Sequence, residues 1–277
     1  MEPDKVIAKG KTKTIYSTVS PKEVLIVSND NITAGDGARC DTLPGKGGWS
    51  TTTTCCVFNL LQAHGIPVAY NHARDDVSFY ALNCTMIPLE VVVRREAYGS
   101  YLKRHPNLKK RHRFDALIVE FYLKTNDCVW EGLSLPCDDP LIEFNFAIGS
   151  AYLFDPRQAE GKFFASIFLN KILGEIGGEN KYASMHHHAR QVFHILEDRW
   201  DKLGYTLVDF KLEFGLTADG KLVLADVLDS DSWRLLKNGQ NMDKQVYRDG
   251  ELDPELLAKV AAIYEEIAEM SRKLIDL

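Results

Sequence analysis

From Leu207 to Phe214 the chain alternates Val208, Phe210, Leu212 and Phe214 with Asp209, Lys211 and Glu213. A period of two places the first set on one face of a strand and the second on the other, so the segment is a half-buried strand whose outer face is charged. A second apolar run, Leu222 to Leu228, follows across Asp219-Gly220, a dipeptide suited to the type I′ turn of a two-residue hairpin loop. That loop pairs Ala218 with Lys221 and, counted back along both strands, sets Glu213 opposite Asp226, with Cβ atoms roughly 5 Å apart on one face. Two carboxylates so close repel unless one is protonated or a cation lies between them. Asp226 otherwise stands among Leu, Val and Ala, and the expected cation is a divalent metal with oxygen ligands, held by Glu213 and Asp226.

The rest of the chain bounds what such a site can serve. Its 277 residues exceed one typical domain and suit two lobes sharing a cleft. The N-terminal MEPDKVIAKGK has no apolar signal region, and no apolar run approaches the roughly 18 residues of a membrane span, so a cytosolic protein without membrane partners is expected. A net charge of −6 argues against nucleic-acid binding. Six scattered cysteines without a CxxC pair read as reduced thiols. Eight Lys and Arg residues between Arg94 and Arg113 form a local positive cluster that fits either a solvated face or a site for a phosphorylated small molecule.

In chain order, Thr12 to Ser17 and Glu23 to Asn29 read as strands joined at Ser20-Pro21. Gly10-Lys11-Thr12 lacks the first glycine of a P-loop, since Lys5 stands there, yet Gly10, Lys11 and Lys13 remain candidates to meet phosphate oxygens. Asn29 to Arg39 is a loop rich in turn formers, with Gly35 and Gly37 around Asp36. Thr51 to His64 predicts a packing helix that stops at Gly65. Met86 to Arg95 predicts a buried strand, bent at Pro88 where the chain crosses between lobes. Ser100 opens a short helix whose first amides suit an anion. A strand over Asp115 to Lys124 precedes two helices, Gln158 to Ile176 and Tyr182 to Leu203. His186, His187 and His188 on the second point about 100° apart and do not chelate one metal together. Asp253-Pro254-Glu255 opens a C-terminal helix over 254–275.

Several of these segments stand together in a known order. GKTKTIYS from Gly10, ITAGDGAR from Ile32, VVVRREAYGSYLKR from Val91, LVDFKLEFG from Leu207, LADVLDSDSWRL from Leu224 and DKQVYRD from Asp243 resemble the SAICAR synthetases of purine biosynthesis. The resemblance implies a two-lobed α+β, ATP-grasp-like fold with a nucleotide site in the interlobe cleft. The corresponding division is an N-terminal lobe over 1–87, mainly antiparallel sheet with a packing helix, and a C-terminal lobe over 88–277 with a central sheet, the hairpin 207–228 and flanking helices.

The implied activity is an ATP-dependent C–N ligase that uses ATP and Mg²⁺ to join CAIR and L-aspartate through an acyl phosphate, which requires positioning and charge neutralisation. By the same resemblance, Lys211, Asp209, Glu213 and Asp226 are catalytic, with Glu213 and Asp226 holding the metal. Gly10, Lys11, Lys13, Met86, Glu90 and Lys124 contact ATP, while Asp36, Arg94, Ser100, Asp231 and Arg234 contact CAIR. Lys46 or the ITAGDGAR loop is offered for aspartate. A homo-oligomer stays open.

Asp226-Val227 and Asp229-Ser230-Asp231 replace the Asp-Glu and Ser-Pro-Asp of many bacterial members and look more like the synthetase half of the bifunctional animal enzymes. The sequence ends at Leu277 without room for the carboxylase domain that follows there, so it is either a monofunctional synthetase or part of a longer protein. Two other classes are a kinase-like phosphotransferase and a silent purine-intermediate-binding protein. The first lacks an HRDxxxxN loop and a DFG motif, and retention of Glu213 with Asp226 argues against the second.

Overall fold

The computed structural model describes residues 5–35, 38–158, 161–174, 178–251 and 253–277. In chain order the strands and helices are β1 (Val6–Lys9), β2 (Lys13–Ser17), β3 (Glu23–Ser28), β4 (Asn31–Ala34), β5 (Arg39–Thr42), α1 (Lys46–Ala63), β6 (Tyr70–Asp75) and β7 (Ser78–Leu82). Next come β8 (Thr85–Glu96), α2 (Ser100–Arg104), β9 (Arg113–Leu123), β10 (Val129–Trp130), β11 (Leu133–Ser134), β12 (Leu141–Asn145), β13 (Ser150–Phe154), β14 (Ala165–Phe168), α3 (Asn170–Leu173) and α4 (Gly178–Lys202). The last are β15 (Tyr205–Leu216), β16 (Leu222–Ala225), β17 (Trp233–Lys237), β18 (Gln240–Asn241), α5 (Gln245–Asp249) and α6 (Pro254–Ser271).

Two compact units result. The first comprises Met1–Thr85, Ile195–Leu207 and Gly215–Leu277, the second Met86–His194 and Val208–Phe214. This is not the single cut at residue 87 expected from the chain order. The C-terminal segment belongs with the N-terminal one because the apolar stripe of α6 packs on α1, and burial of that stripe, not chain order, decides where a helix goes.

In the first unit a five-stranded antiparallel sheet has the order β1-β2-β3-β7-β6. Its core holds Leu25, Val57, Phe58, Leu61 and Phe79, all buried, and a second cluster joins Ile32, Leu43, Tyr247, Val260 and Tyr264. Helix α1 begins five residues before the sequence suggested. Gly47 lies where a Cβ would come within 3.3 Å of the Ser28 and Asn29 backbone, and its amide donates to Asp30 Oδ1 at 2.9 Å. A glycine-rich first turn, unpromising by propensity, is thus capped by a carboxylate from another segment. Helix α6 starts as expected, with Asp253 accepting from the Leu256 amide at 2.7 Å and proline following.

In the second unit the strand order is β14-β13-β12-β9-β8-β15. Leu89 faces Leu123 and Val91 faces Phe121 across β8 and β9. These residues, with Phe210, Leu212 and Phe214, are buried. Helix α4 covers this apolar side, with ring centroids 5.1 Å apart for Phe193 and Phe210 and 4.8 Å for Phe121 and Tyr182. The helix expected over Gln158 to Ile176 is replaced by β14 and the single turn α3. Pairing with β13, from Ser150 opposite Phe168 to Leu153 opposite Ala165, satisfies that backbone between strands. Residues 159–160 and 175–176 of that expected helix lie outside the described residues.

Candidate active site

The side of the second unit's sheet opposite α4 is polar. Glu90 stands opposite Tyr122, and Val92 opposite Glu120, so residues 90, 92 and 94 share a face with 120 and 122 by strand alternation. Asp209, Lys211 and Glu213 alternate along β15 in the same manner. Lys211 Nζ lies 2.7 Å from Glu90 Oε1 and 3.4 Å from Glu213 Oε1. Glu213 Oε2 accepts from Lys124 Nζ at 2.6 Å, and the Lys124 amide donates to Pro88 O at 3.0 Å. Two lysines and two carboxylates are therefore interleaved across β8, β15 and the end of β9, with both lysine side chains partly open to solvent, 37% for Lys211 and 40% for Lys124.

Farther along the same strands the polar groups are closed in. Arg94 donates to Asp209 Oδ2 and Glu120 Oε2, each at 2.7 Å, and Arg104 bonds to Glu120 and, at 3.1 Å, to Pro156 O. Tyr122 donates to Glu120 at 3.1 Å. Burial alone would lower the Arg94 pKa, but Asp209 and Glu120 overcome it and hold the guanidinium charged. Its fork is spent on two carboxylates, so it does not present the open substrate fork that the sequence suggested.

The first unit contains a different polar centre. Asp231 Oδ2 lies 3.1 Å from Lys46 Nζ and 3.4 Å from Lys244 Nζ, and Tyr264 donates to Asp231. Asp229 stands beside them, accepting from the Asp231 amide at 2.9 Å. Burial raises the Asp229 pKa, and Asp231 adds to the effect. For Asp231 burial pushes the same way, but Lys46 and Lys244 override it and hold its carboxyl below the usual range. Burial lowers Lys244, whereas for Lys46 the two aspartates outweigh burial and raise it. Lys244 Nζ also reaches Thr33 Oγ1 at 3.4 Å. The ITAGDGAR, DSDSWR and DKQVYRD segments and the start of α1 thus converge on one network.

Asp226 accepts from Lys13 and has φ of 64°. Gly10 closes a turn by donating to Lys13 O at 2.9 Å, and Lys11 O accepts from Asn31 at 3.1 Å. Met86, at the start of β8, is exposed. Arg234 Nε reaches Gln245 Oε1 at 3.4 Å. Asp36 lies outside the described residues. Ser100 begins α2, but that helix has five residues and Gly99 at its cap, too short for the anion-holding terminus expected of it.

The hairpin turns differently from the two-residue loop expected of Asp219-Gly220. Thr217, not Ala218, pairs with Lys221, its amide donating to Lys221 O at 3.0 Å, and Gly220 has φ of 80°. Three residues form the loop, with glycine in the left-handed position of a bulge. The register moves by one residue, which flips side chains between faces. Strand β16 ends at Ala225, and the pairing of Glu213 with Asp226 derived from a two-residue turn does not form.

Glu120, Tyr122, Arg104, Lys244, Tyr264 and Asp229 were not singled out from sequence. The alternation Glu120, Tyr122, Lys124 on a predicted strand was a usable signal. Tyr264 sits in an apolar helical stripe and gave none.

Residues 6–134 and 162–263 match the family described as SAICAR synthetase. The chain is 39% identical over 276 residues to the phosphoribosylaminoimidazole-succinocarboxamide synthase of Chloroflexus aurantiacus, covering 98% of this chain and 97% of that protein. It is 39% identical to the multifunctional protein ADE2 of Gallus gallus, with 96% of this chain and 57% of that protein covered. At 41% identity it spans 22% of the bifunctional purine synthesis protein purC/E of Dictyostelium discoideum and 87% of itself. The chain therefore covers about half or less of two of these relatives. Among solved structures, a SAICAR synthetase in complex with ADP aligns with TM-score 0.74 and 28% identity over 95% of this chain and 96% of that one. The Ehrlichia chaffeensis phosphoribosylaminoimidazole-succinocarboxamide synthase aligns with TM-score 0.76 and 24% identity over 96% and 98%, a likeness of fold. The architecture is that of an α+β synthetase of the ATP-grasp-like kind. The chain belongs to the SAICAR synthetase family.

Proposed function

We propose that the protein is an ATP-dependent ligase of purine biosynthesis that joins CAIR and L-aspartate to give SAICAR, ADP and phosphate. The observation that carries this reading is the interleaving of Lys211 and Lys124 with Glu90 and Glu213 on one sheet face, a cation-rich polar surface suited to phosphoryl transfer. The name of the Chloroflexus relative and the ADP complex of a structural relative support it.

In the first step a CAIR carboxylate oxygen attacks the γ-phosphorus of ATP and the bond to the bridging oxygen breaks, releasing ADP. The aspartate amine then attacks the acyl carbon, the C–O bond to phosphate breaks, and the amine loses a proton. Lys211 and Lys124 neutralise charge on the transferring phosphoryl group, and Asp209 fixes Arg94. In the first unit Gly10, Lys11 and Lys13 are assigned to ATP, Asp231 and Arg234 to CAIR. Met86 and Glu90 of β8 are assigned to the nucleotide as well.

Mg²⁺ suits the donors. The carboxylates of Glu213 and Asp226 are hard oxygen ligands, and each accepts from a lysine ammonium, Lys124 and Lys13 respectively, so each is already an acceptor for a cation. Both are assigned to Mg²⁺, each argued within its own unit. When bound, the ion would neutralise charge on the β- and γ-phosphates. A cytoplasmic setting is part of the proposal. Among the described residues no helix is long and apolar enough to cross a membrane.

The test is an assay with ATP, Mg²⁺, CAIR and L-aspartate that follows SAICAR and ADP together. Amide formation strictly dependent on all four is expected. ADP release independent of CAIR and aspartate would sink the ligase reading and favour a simple phosphohydrolase.

A further inference from the structure

The network around Asp231 has one feature that packing alone does not require. Lys46 is 1% exposed and Lys244 9%, whereas Asp231 is 16% exposed. Two ammoniums, a phenol and a second carboxylate, all nearly enclosed, thus converge on Asp231, whose side chain is the least enclosed of the set. Removing two ammoniums from water is costly unless their partners are well placed, and an apolar cluster of similar size would hold α1 and α6 together at least as well. An arrangement that keeps one partly exposed carboxylate ionised and fixed suits a ligand that donates hydrogen bonds.

We infer that Lys46, Lys244 and Tyr264 are positioning residues that hold Asp231 as a fixed anionic acceptor for an N–H or O–H group of the ribose-bearing aminoimidazole substrate. This rests on the ligase reading for the identity of the substrate, not for the geometry. Lys46 approaches from the first turn of α1, Lys244 from the residue before α5 and Tyr264 from α6. Lys46 also lies 5.5 Å from the Tyr264 ring centroid, so its ammonium meets both the ring and the carboxylate. The charged or titratable groups that bear on this centre are Asp229 on the same turn, Asp30 near Lys46, Arg248 of α5 near Lys244, and Asp243 near Tyr264.

Lys46→Met removes one of the two cations. The Asp231 pKa then rises towards the ordinary carboxylate value, and its proton competes with the ligand as pH falls. CAIR binding by calorimetry and steady-state kinetics at pH 7.5 and pH 4.0 read this out. The expected result is CAIR affinity weaker by about tenfold at pH 7.5, the loss of one charge-assisted contact, with a larger deficit at pH 4.0, near the ordinary carboxylate pKa, and with kcat changed much less than KM. Lys46→Arg should restore most of the affinity and flatten the pH dependence. Tyr264→Phe, which keeps the ring, should give a smaller loss with the same pH trend.

A lower melting temperature with a CAIR affinity profile parallel to the wild type at both pH values would overturn the proposal and leave a packing role. Failure of Lys46→Arg to recover affinity in a folded protein would also overturn it. These differences in CAIR binding between wild type and Lys46→Met, in a wild type that forms no amide, would sink the ligase reading and leave the positioning role standing.

Discussion

Arg94 Nη1 lies 2.7 Å from Asp209 Oδ2, and both side chains are 4% exposed. Glu120 completes the neutralisation from β9 at the same distance. An arginine read from its motif as a substrate fork is thus enclosed by two carboxylates. Arg94→Met leaves Asp209 buried without its cation and is expected to lower the unfolding free energy by about 3–5 kcal/mol. Arg94→Met combined with Asp209→Leu should recover part of that loss. Urea unfolding of the three proteins checks this. A variant Arg94→Lys with wild-type stability and only a raised KM for CAIR would return Arg94 to substrate binding.

Lys211 stands between Glu90 and Glu213 with more than a third of its side chain open to solvent. Its loss removes a cation from the polar face without opening the core. Lys211→Met is expected to reduce kcat about 10²-fold, the scale for deleting one electrostatic stabiliser, while the urea midpoint stays near that of the wild type. Single-turnover formation of ADP from ATP and CAIR isolates the phosphoryl step. An undiminished rate there would remove Lys211 from it.

Asp226 has φ of 64°, a region that asparagine tolerates better than most residues. Asp226→Asn therefore keeps the backbone and removes the charge that Lys13 meets. The expected outcome is a folded protein with kcat reduced by about 10²-fold or more and weaker Mn²⁺ binding in the presence of nucleotide, read by electron paramagnetic resonance. Normal turnover at saturating Mg²⁺ would refute a metal role for this carboxylate.

Asp243 accepts from the Gln245 amide at 2.6 Å and the Leu235 amide at 2.8 Å, yet burial pushes its pKa up to about 6. An unfolded aspartate titrates near 3.9. Between about pH 4 and pH 6 the folded state holds a proton that the unfolded state has lost, so this residue's contribution is fully present below pH 4 and declines as pH rises through 6. Asp231 runs the other way, since its lowered pKa stabilises above the ordinary carboxylate range and is lost in acid. Asp243→Asn should abolish the decline between pH 4 and 6, worth about 2 kcal/mol, in urea unfolding measured against the wild type across that window. An unchanged pH dependence would show that Asp243 is ionised throughout.

Much of the secondary structure was legible because it depends on local rules. The alternation from Leu207 to Phe214 gave a half-buried strand with one apolar and one charged face; β15 keeps the alternation, but Asp209 and Glu213 on the charged face are buried along with Phe210, Leu212 and Phe214. Asp253-Pro254 marked the start of α6, where the aspartate side chain caps the helix. Ordered motifs led to the family. They did so because a set of side chains at fixed spacing survives whatever the intervening loops do.

The sequence by itself determined which strands carry charge and which residues supply it, since strand alternation needs no partner. Tertiary structure decided which charges meet. Asp219-Gly220 permits a two- or a three-residue loop, and the one-residue difference, seen in the Thr217–Lys221 pairing, moves every later side chain of β16 to the opposite face. Likewise nothing near Lys46 in the chain announces Asp231, 185 positions away, or Tyr264 beyond it. Their meeting follows from the packing of α6 on α1, because local propensity fixes the direction of a side chain only within its own element and long-range burial selects its neighbours.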